Sequence, residues 1–267
     1  MILYYALGGG LGHLTRGRRV LESLGLTGDA AIVTASPYAS DARVTGGIPV
    51  IDVSITLEHD VDAHRTWMRG LDADRLLVDT FPGGMHGELC GLDVPMDLVA
   101  RSLRWAEYRC AVPGELPFFD TAWLLEELEP EHEAFVREHS RRSVPLDLVR
   151  PVAGAPEAAA PFWLIVHSGP EEEVRELIAY TAELRAHAVT PAERTLVATR
   201  CDVPLPAGFE RIDAYPAAAL FARAERIVSA AGFNVMLETE SWRDKHDVVP
   251  FARRFDDQYR RAARRRR

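Results

Sequence analysis

Short apolar runs rich in Val, Ile and Leu alternate along this chain with stretches whose apolar residues recur at helical spacing. That alternation is how a parallel sheet covered by helices on both faces appears in sequence. In the first half, ILYYAL (2–7), AAIVTA (30–35), IPVIDVS (48–54), RLLVDTF (75–81), DLVAR (97–101) and YRCAV (108–112) read as strands, with helices over 14–24 and 61–70. Residues 139–161, HSRRSVPLDLVRPVAGAPEAAAP, hold no sustained period and are rich in Pro and Ala, the composition of a linker. A second series follows: PFWLIVHSG (161–169), a helix over 171–187, RTLVAT (194–199), FERID (209–213), RIVSA (226–230), a helix from 233, DVVPF (247–251) and a final helix. The pattern predicts an α/β chain of two domains, 1–145 and 160–267, joined at about 146–159, with the final helix packing back on the first. Two such domains facing each other would form a cleft, and ligand pockets favour domain interfaces and the carboxyl ends of parallel strands.

Composition narrows the class. With 267 residues, 47% hydrophobic and 27% charged, this is an ordinary globular chain. No apolar run approaches the roughly 20 residues that span a bilayer, and the N-terminus lacks the basic region and cleavage site of a secretory leader, so a cytoplasmic protein is expected. Cys90, Cys110 and Cys201 are odd in number and widely spaced, which argues against a disulfide framework or a zinc site. Lys245 is the one lysine among 31 basic residues.

Charge is unevenly placed. Residues 253–267, RRFDDQYRRAARRRR, carry eight arginines against two aspartates, whereas the whole chain has a formal charge of −9. Such a tail attracts phosphates or an anionic membrane surface in peripheral contact, and reads equally as a solvated helix end with arginines at its negative pole. The acidic remainder argues against nucleic acid as a partner.

The densest candidate chemistry is GGGLGHLTRG (8–17), directly after the first strand. Its glycines permit conformations closed to other residues and let a ligand approach the backbone. His13 then falls at a helix N-terminus, where the dipole favours a neutral imidazole able to accept a proton from a hydroxyl or from water. The plainer reading is a tight strand-to-helix turn with a half-buried histidine. The spacing fits neither a dinucleotide G-x-G-x-x-G nor a P-loop. In the second half, Ser168-Gly169-Pro170 precedes a helix that opens on EEE, where backbone N–H groups suit a diphosphate unless the glutamates themselves complement the helix. AAGFNVMLETES places Gly232, Phe233 and Asn234 in a turn and Glu238 in the first turns of a helix, where a carboxylate suits the two hydroxyls of a ribose. Asp256, Asp257 and Gln258 start the last helix, as N-caps or as partners of sugar hydroxyls.

Together these stretches resemble the glycosyltransferases of two Rossmann-like domains, the GT-B type, and in particular the family of the peptidoglycan N-acetylglucosaminyltransferase with its bacterial relatives. G-x-G-H-x-T-R (Gly10 to Arg16), VDTFPGGMHGEL (78–89), SAAGFNVMLE and PFARRFDDQY carry the likeness in order through both halves. The resemblance implies an inverting, metal-independent transfer of a hexosyl or N-acetylhexosaminyl group from a nucleotide sugar, by expectation a UDP-sugar, to an unknown acceptor hydroxyl, with no cofactor. It implies that Gly10, Gly12 and His13 face the acceptor and the donor phosphates, with His13 as base and Arg16 among the donor-binding residues. It also implies Ser168 and Gly169 at the diphosphate, Glu238 at the ribose, and Asp257 and Gln258 at the transferred sugar, with Gly232, Phe233, Asn234 and Asp256 as further donor-binding candidates. A nucleotide-sugar hydrolase and a non-catalytic binding protein remain alternatives. The chain is short for the family, and ESWRDKHD (240–247) stands where the relatives carry small residues. His59, Asp60, Asp62 and His64 in EHDVDAH have no evident third ligand on one helix face, so no metal site is expected. His86 reads as a surface-loop histidine.

Overall fold

In the computed structural model, which describes residues 1–8, 10–53, 57, 60–150, 161–189 and 193–265, the strands fall into two separate all-parallel sheets. The chain divides into a first unit, Met1–Val149 with Arg254–Asp257, and a second, Arg150–Arg253 with Gln258–Arg267.

The first unit holds β1 (Ile2–Tyr5), β2 (Ala30–Thr34), β3 (Val50–Asp52), β4 (Arg75–Asp79), β5 (Met96–Ala100), β6 (Phe119–Leu124) and β7 (Ser140–Pro145), in the order β3-β2-β1-β4-β5-β6-β7. Its helices are α1 (Leu11–Leu24), α2 (Ala42–Thr45), α3 (Val61–Arg69), α4 (Trp105–Ala111) and α5 (Pro130–Glu138). Strand order runs outward in opposite directions from β1 and β4, so the loops leaving their carboxyl ends diverge there, the place where open parallel sheets bind ligands. The middles of the central strands are hydrophobic because both faces are covered: Leu3, Tyr4, Leu76, Leu77 and Val78 are all at 0% exposure. Each such aliphatic side chain contributes about 1.5–3 kcal/mol relative to exposure. Helix α1 lies on β1 with Gly17 over the Tyr4 ring, where a Cβ would stand 2.8 Å from Tyr4 Cε1.

The second unit holds β8 (Phe162–Val166), β9 (Arg194–Ala198), β10 (Phe209–Ile212), β11 (Ala224–Ala230) and β12 (His246–Val249), in the order β10-β9-β8-β11-β12, with α6 (Glu171–His187), α7 (Phe233–Glu238) and α8 (Gln258–Arg265). Its divergence point lies between β8 and β11. ESWRDKHD forms a 3₁₀ turn over Glu240–Lys245 that leads into β12, and Lys245 Nζ donates to Ala222 O and Ala224 O.

Several expectations change. YRCAV is helical, because Trp105, Tyr108 and Val112 bury one face at helical spacing. The stretch read as the start of a linker contains β7, an edge strand whose Arg141, Arg142 and Ser143 are exposed, the polar character that edges tolerate. Residues 151–160 of that stretch, Gly9 and His59 lie outside the described residues. The final helix groups with the second unit, not the first: Arg261 Nη1 donates to Ala231 O at 2.9 Å and Arg265 Nη1 to His246 Nδ1 at 2.5 Å. These two arginines are therefore engaged by protein rather than presented to a membrane or an anion. Among the described residues, no helix is long and apolar enough to cross a membrane, and no group of three His, Cys, Asp or Glu is placed to hold a metal.

Candidate active site

At the divergence of β1 and β4 the sequence brings two halves of one device together. The Gly-rich loop after β1 delivers His13 as the third residue of α1, and β4 ends on Asp79. His13 Nδ1 lies 2.5 Å from Asp79 Oδ2. A carboxylate only accepts, so the proton sits on Nδ1 and the lone pair on Nε2. Nε2 has no hydrogen-bond partner among the described residues, and the side chain keeps 17% of its exposure.

The glycine that makes room for this ring is Gly8. It holds φ at +151°, and a Cβ there would stand 2.5 Å from His13 Cδ2 and 2.6 Å from Nε2. Gly10 is the N-cap of α1 and Gly12 lies in its first turn. Phe81 stacks on the imidazole with ring centres 5.9 Å apart, and itself packs against Tyr108 and Phe255.

Asp79 is buried at 2% exposure and fully engaged. Oδ1 accepts from Tyr4 OH at 2.7 Å and Arg16 Nε at 2.6 Å, and Oδ2 accepts from Arg16 Nη2 at 2.5 Å. Burial by itself would push the Asp79 carboxyl up; the Arg16 guanidinium and the His13 hydrogen bond overcome it and hold the group well below the usual carboxylate range. Burial also pushes the His13 imidazole down, with Asp79 opposing and Arg16 and Arg101 assisting. The neutral ring expected from the helix dipole is thus mainly a consequence of desolvation.

Thr80 follows Asp79 with φ at +69°, costly for a β-branched residue. Its buried Oγ1 accepts from Arg16 Nη2 and from Arg101 Nε, each at 3.1 Å. Arg101, just past β5, donates from Nη1 to Asp256 Oδ1 at 2.5 Å.

Two expected roles change here. Arg16 serves the Asp79 carboxylate rather than donor phosphates, because both its Nε and Nη2 are directed to that carboxylate. Asp256 pairs with Arg101 rather than starting the helix as a cap. Asp257 lies half-buried beside it, ahead of α8. Asp79, Tyr4 and Arg101 were missing from the sequence-derived site. The signal was there in VDTF: an acid closing an apolar strand immediately before a glycine-bearing turn.

The divergence point of the second unit gathers the other candidates. Ser168 is exposed in the loop between β8 and α6, and Gly169 donates nothing bulky: a Cβ there would stand 2.5 Å from His167 Nε2. His167 Nε2 lies 2.8 Å from Glu173 Oε2, and Arg253 closes an ion pair on the same carboxylate. Burial raises the Glu173 carboxyl, but these two partners bring it down to about 2. One of the three glutamates at the start of α6 is thereby spoken for. Gly232 caps α7, and Phe233 and Asn234 open it. Glu238 is the last residue of this six-residue helix rather than a first-turn acid, so the dipole does not favour its charge. Gln258 is buried at 4% exposure, and its Oε1 accepts from Phe251 N at 3.0 Å, because it anchors the start of α8.

No protein-family model and no curated protein matches the chain. Solved structures do. The glycosyltransferase SnogD from Streptomyces nogalater matches with a TM-score of 0.59 at 18% identity, over 94% of this chain and 82% of its own. The spinosyn rhamnosyltransferase SpnG complexed with thymidine diphosphate gives 0.57 at 16% identity, over 99% and 84%. A ugt transferase from Siraitia grosvenorii in complex with UDP gives 0.53 at 14% identity, over 98% and 82%. The likeness is one of fold: the chain is built as two parallel α/β units of the GT-B type found in glycosyltransferases.

Proposed function

We propose that the protein is a glycosyltransferase that moves a sugar from a nucleoside-diphosphate sugar to an acceptor hydroxyl. The observation that carries this reading is the buried Asp79 carboxylate directing His13 so that its unprotonated Nε2 is the ring's reactive edge. Nε2 takes the proton of the acceptor hydroxyl as its oxygen bonds to the anomeric carbon. The bond from that carbon to the diphosphate oxygen breaks, its electron pair leaves with the nucleoside diphosphate, and the configuration inverts. Backbone N–H groups of the Ser168-Gly169 and Gly232–Asn234 turns are the proposed holders of the diphosphate, Glu238 of the ribose and Asp257 of the sugar. No metal enters this scheme. The nucleotides named with SpnG and the Siraitia transferase are thymidine diphosphate and UDP, which supports a pyrimidine donor, with UDP-sugars tested first.

The test is a matrix of UDP- and dTDP-sugars against hydroxyl-bearing acceptors, with product mass and nucleoside diphosphate release both recorded. Glycosylated acceptor that disappears with His13→Ala is the expected result. Free sugar released at the same rate with and without any acceptor would instead identify a hydrolase, and nucleotide-sugar binding without turnover would overturn catalysis altogether.

A further inference from the structure

A buried histidine beside a buried aspartate ordinarily becomes an ion pair, imidazolium against carboxylate, because neither charge has another partner. Here the carboxylate has one. Arg16 stands on α1 three residues after His13, is 3% exposed, and spans both oxygens of Asp79 at 2.6 and 2.5 Å. Its Nη2 also lies 3.0 Å from His13 Nδ1 and reaches Thr80 Oγ1. Among the described residues, the other charged or titratable groups facing the cluster are likewise matched: Tyr4 from β1 donates to Asp79, and Arg101 beyond β5 is paired with Asp256.

We propose that Arg16 is a positioning residue for His13: by taking the Asp79 carboxylate as its own bidentate partner, it leaves the imidazole an orientation and a tautomer but little counter-charge. His13 then waits as a neutral base, ready to accept a proton, where a bare histidine–aspartate pair would already hold one. This role of Arg16 rests on His13 being the base proposed above, but the neutral, oriented ring can be observed without turnover.

The experiment is an ¹⁵N-edited NMR titration of the ring nitrogens in the full chain, with His13 assigned by loss of its signals in His13→Asn. Wild type should show a neutral, Nδ1-protonated ring with its midpoint below 6.5, the ordinary histidine value. Arg16→Met should raise that midpoint by about one pH unit or more, a tenfold or greater gain in proton affinity. Arg16→Lys, which keeps the charge but not the two-point grip, should raise it by less and serves as the deciding variant if Arg16→Met does not fold. A His13 midpoint unmoved in folded Arg16 variants would overturn the inference. In a transferase, the acid limb of kcat/KM should move by the same amount. A midpoint that moves in a protein that transfers no sugar would refute the proposed function and leave the role of Arg16 standing.

Discussion

At the divergence of β1 and β4 the chain buries Arg16, Asp79 and Arg101 in one hydrogen-bonded cluster. At the divergence of β8 and β11 it offers two glycine-bearing turns and a half-screened ion pair, Glu173 and Arg253 keeping 14% and 28% of their side-chain exposure. The strand topology is the same in both places, so topology alone does not decide what a divergence point does. The first has its polar groups already satisfied by one another and arranged around one ring. The second keeps short, open backbone, which is what a bulky anionic ligand requires. This contrast is what the proposed function rests on, with chemistry assigned to the first and donor binding to the second.

The contrast can be broken most forcefully through its acids. Asp79→Ala leaves Arg16 buried without its partner and should cost about 3–5 kcal/mol in chemical denaturation, whereas Glu173→Ala should cost about 1 kcal/mol or less. Equal losses would remove the distinction. On activity, His13→Ala should lower kcat by about 10²- to 10⁴-fold while leaving nucleoside diphosphate affinity in place by isothermal calorimetry. Gly8→Ala, which drives a Cβ into the ring, should cost about 10²-fold through misplacement alone.

Acid stability sharpens the comparison further. In the first unit His132 is fully buried, stacked on Trp105 at 4.7 Å, and neither ring nitrogen has a hydrogen-bond partner among the described residues. Burial brings it down to about 4. The unfolded chain therefore takes up a proton below about 6.5 that the folded chain refuses until about 4. Stability is complete above 6.5 and falls as pH drops through that window, by about 2 kcal/mol at pH 5. His132→Phe should flatten this dependence without weakening the fold at pH 7. His246 in the second unit is pushed down to about 3 by burial and then by Arg265, but it bridges Ser229 and Arg265. His246→Phe should therefore cost about 1–3 kcal/mol at pH 7 by stranding both. Matching behaviour of the two variants in denaturation at pH 5 and 7 would show the two histidines to be equivalent. The smallest effect belongs to Glu238→Ala, with a donor KM raised about tenfold by loss of one charged hydrogen bond and kcat little changed. A kcat loss there would place Glu238 with the chemistry instead.

Much of this was legible from periodicity. Helix α6 falls where the apolar spacing put it, and so do β8, β9 and β10 to within a few residues, because long regular patterns and bounded apolar runs carry strong signals. YRCAV failed because five apolar-rich residues fit either period, and only the burial of Trp105 and Tyr108 on one face decides. Strand β6, FDTAWL, was passed over because Asp120 and Thr121 interrupt its apolar run, and β7 because an edge strand carries little hydrophobic signal. In the site, His13 was visible from its glycine-rich loop. Its partners were not, because Asp79 lies 66 residues away and only the parallel pairing of β1 with β4 brings it near. Arg16 was visible as a motif residue, but the direction of its side chain was not.

The assignment of Arg254–Asp257 to the first unit, between stretches that belong to the second, bears on how such a protein can be recombined. Phe255 packs on Phe81 and Tyr108, and Asp256 pairs with Arg101. A chimera that exchanges everything after Val149 would therefore carry off the Phe255 ring that packs on Phe81 and the Asp256 counter-ion of Arg101, both of which belong to the first unit. Grafts that retain residues 254–257 of the recipient should tolerate foreign second units that a single-junction exchange would not.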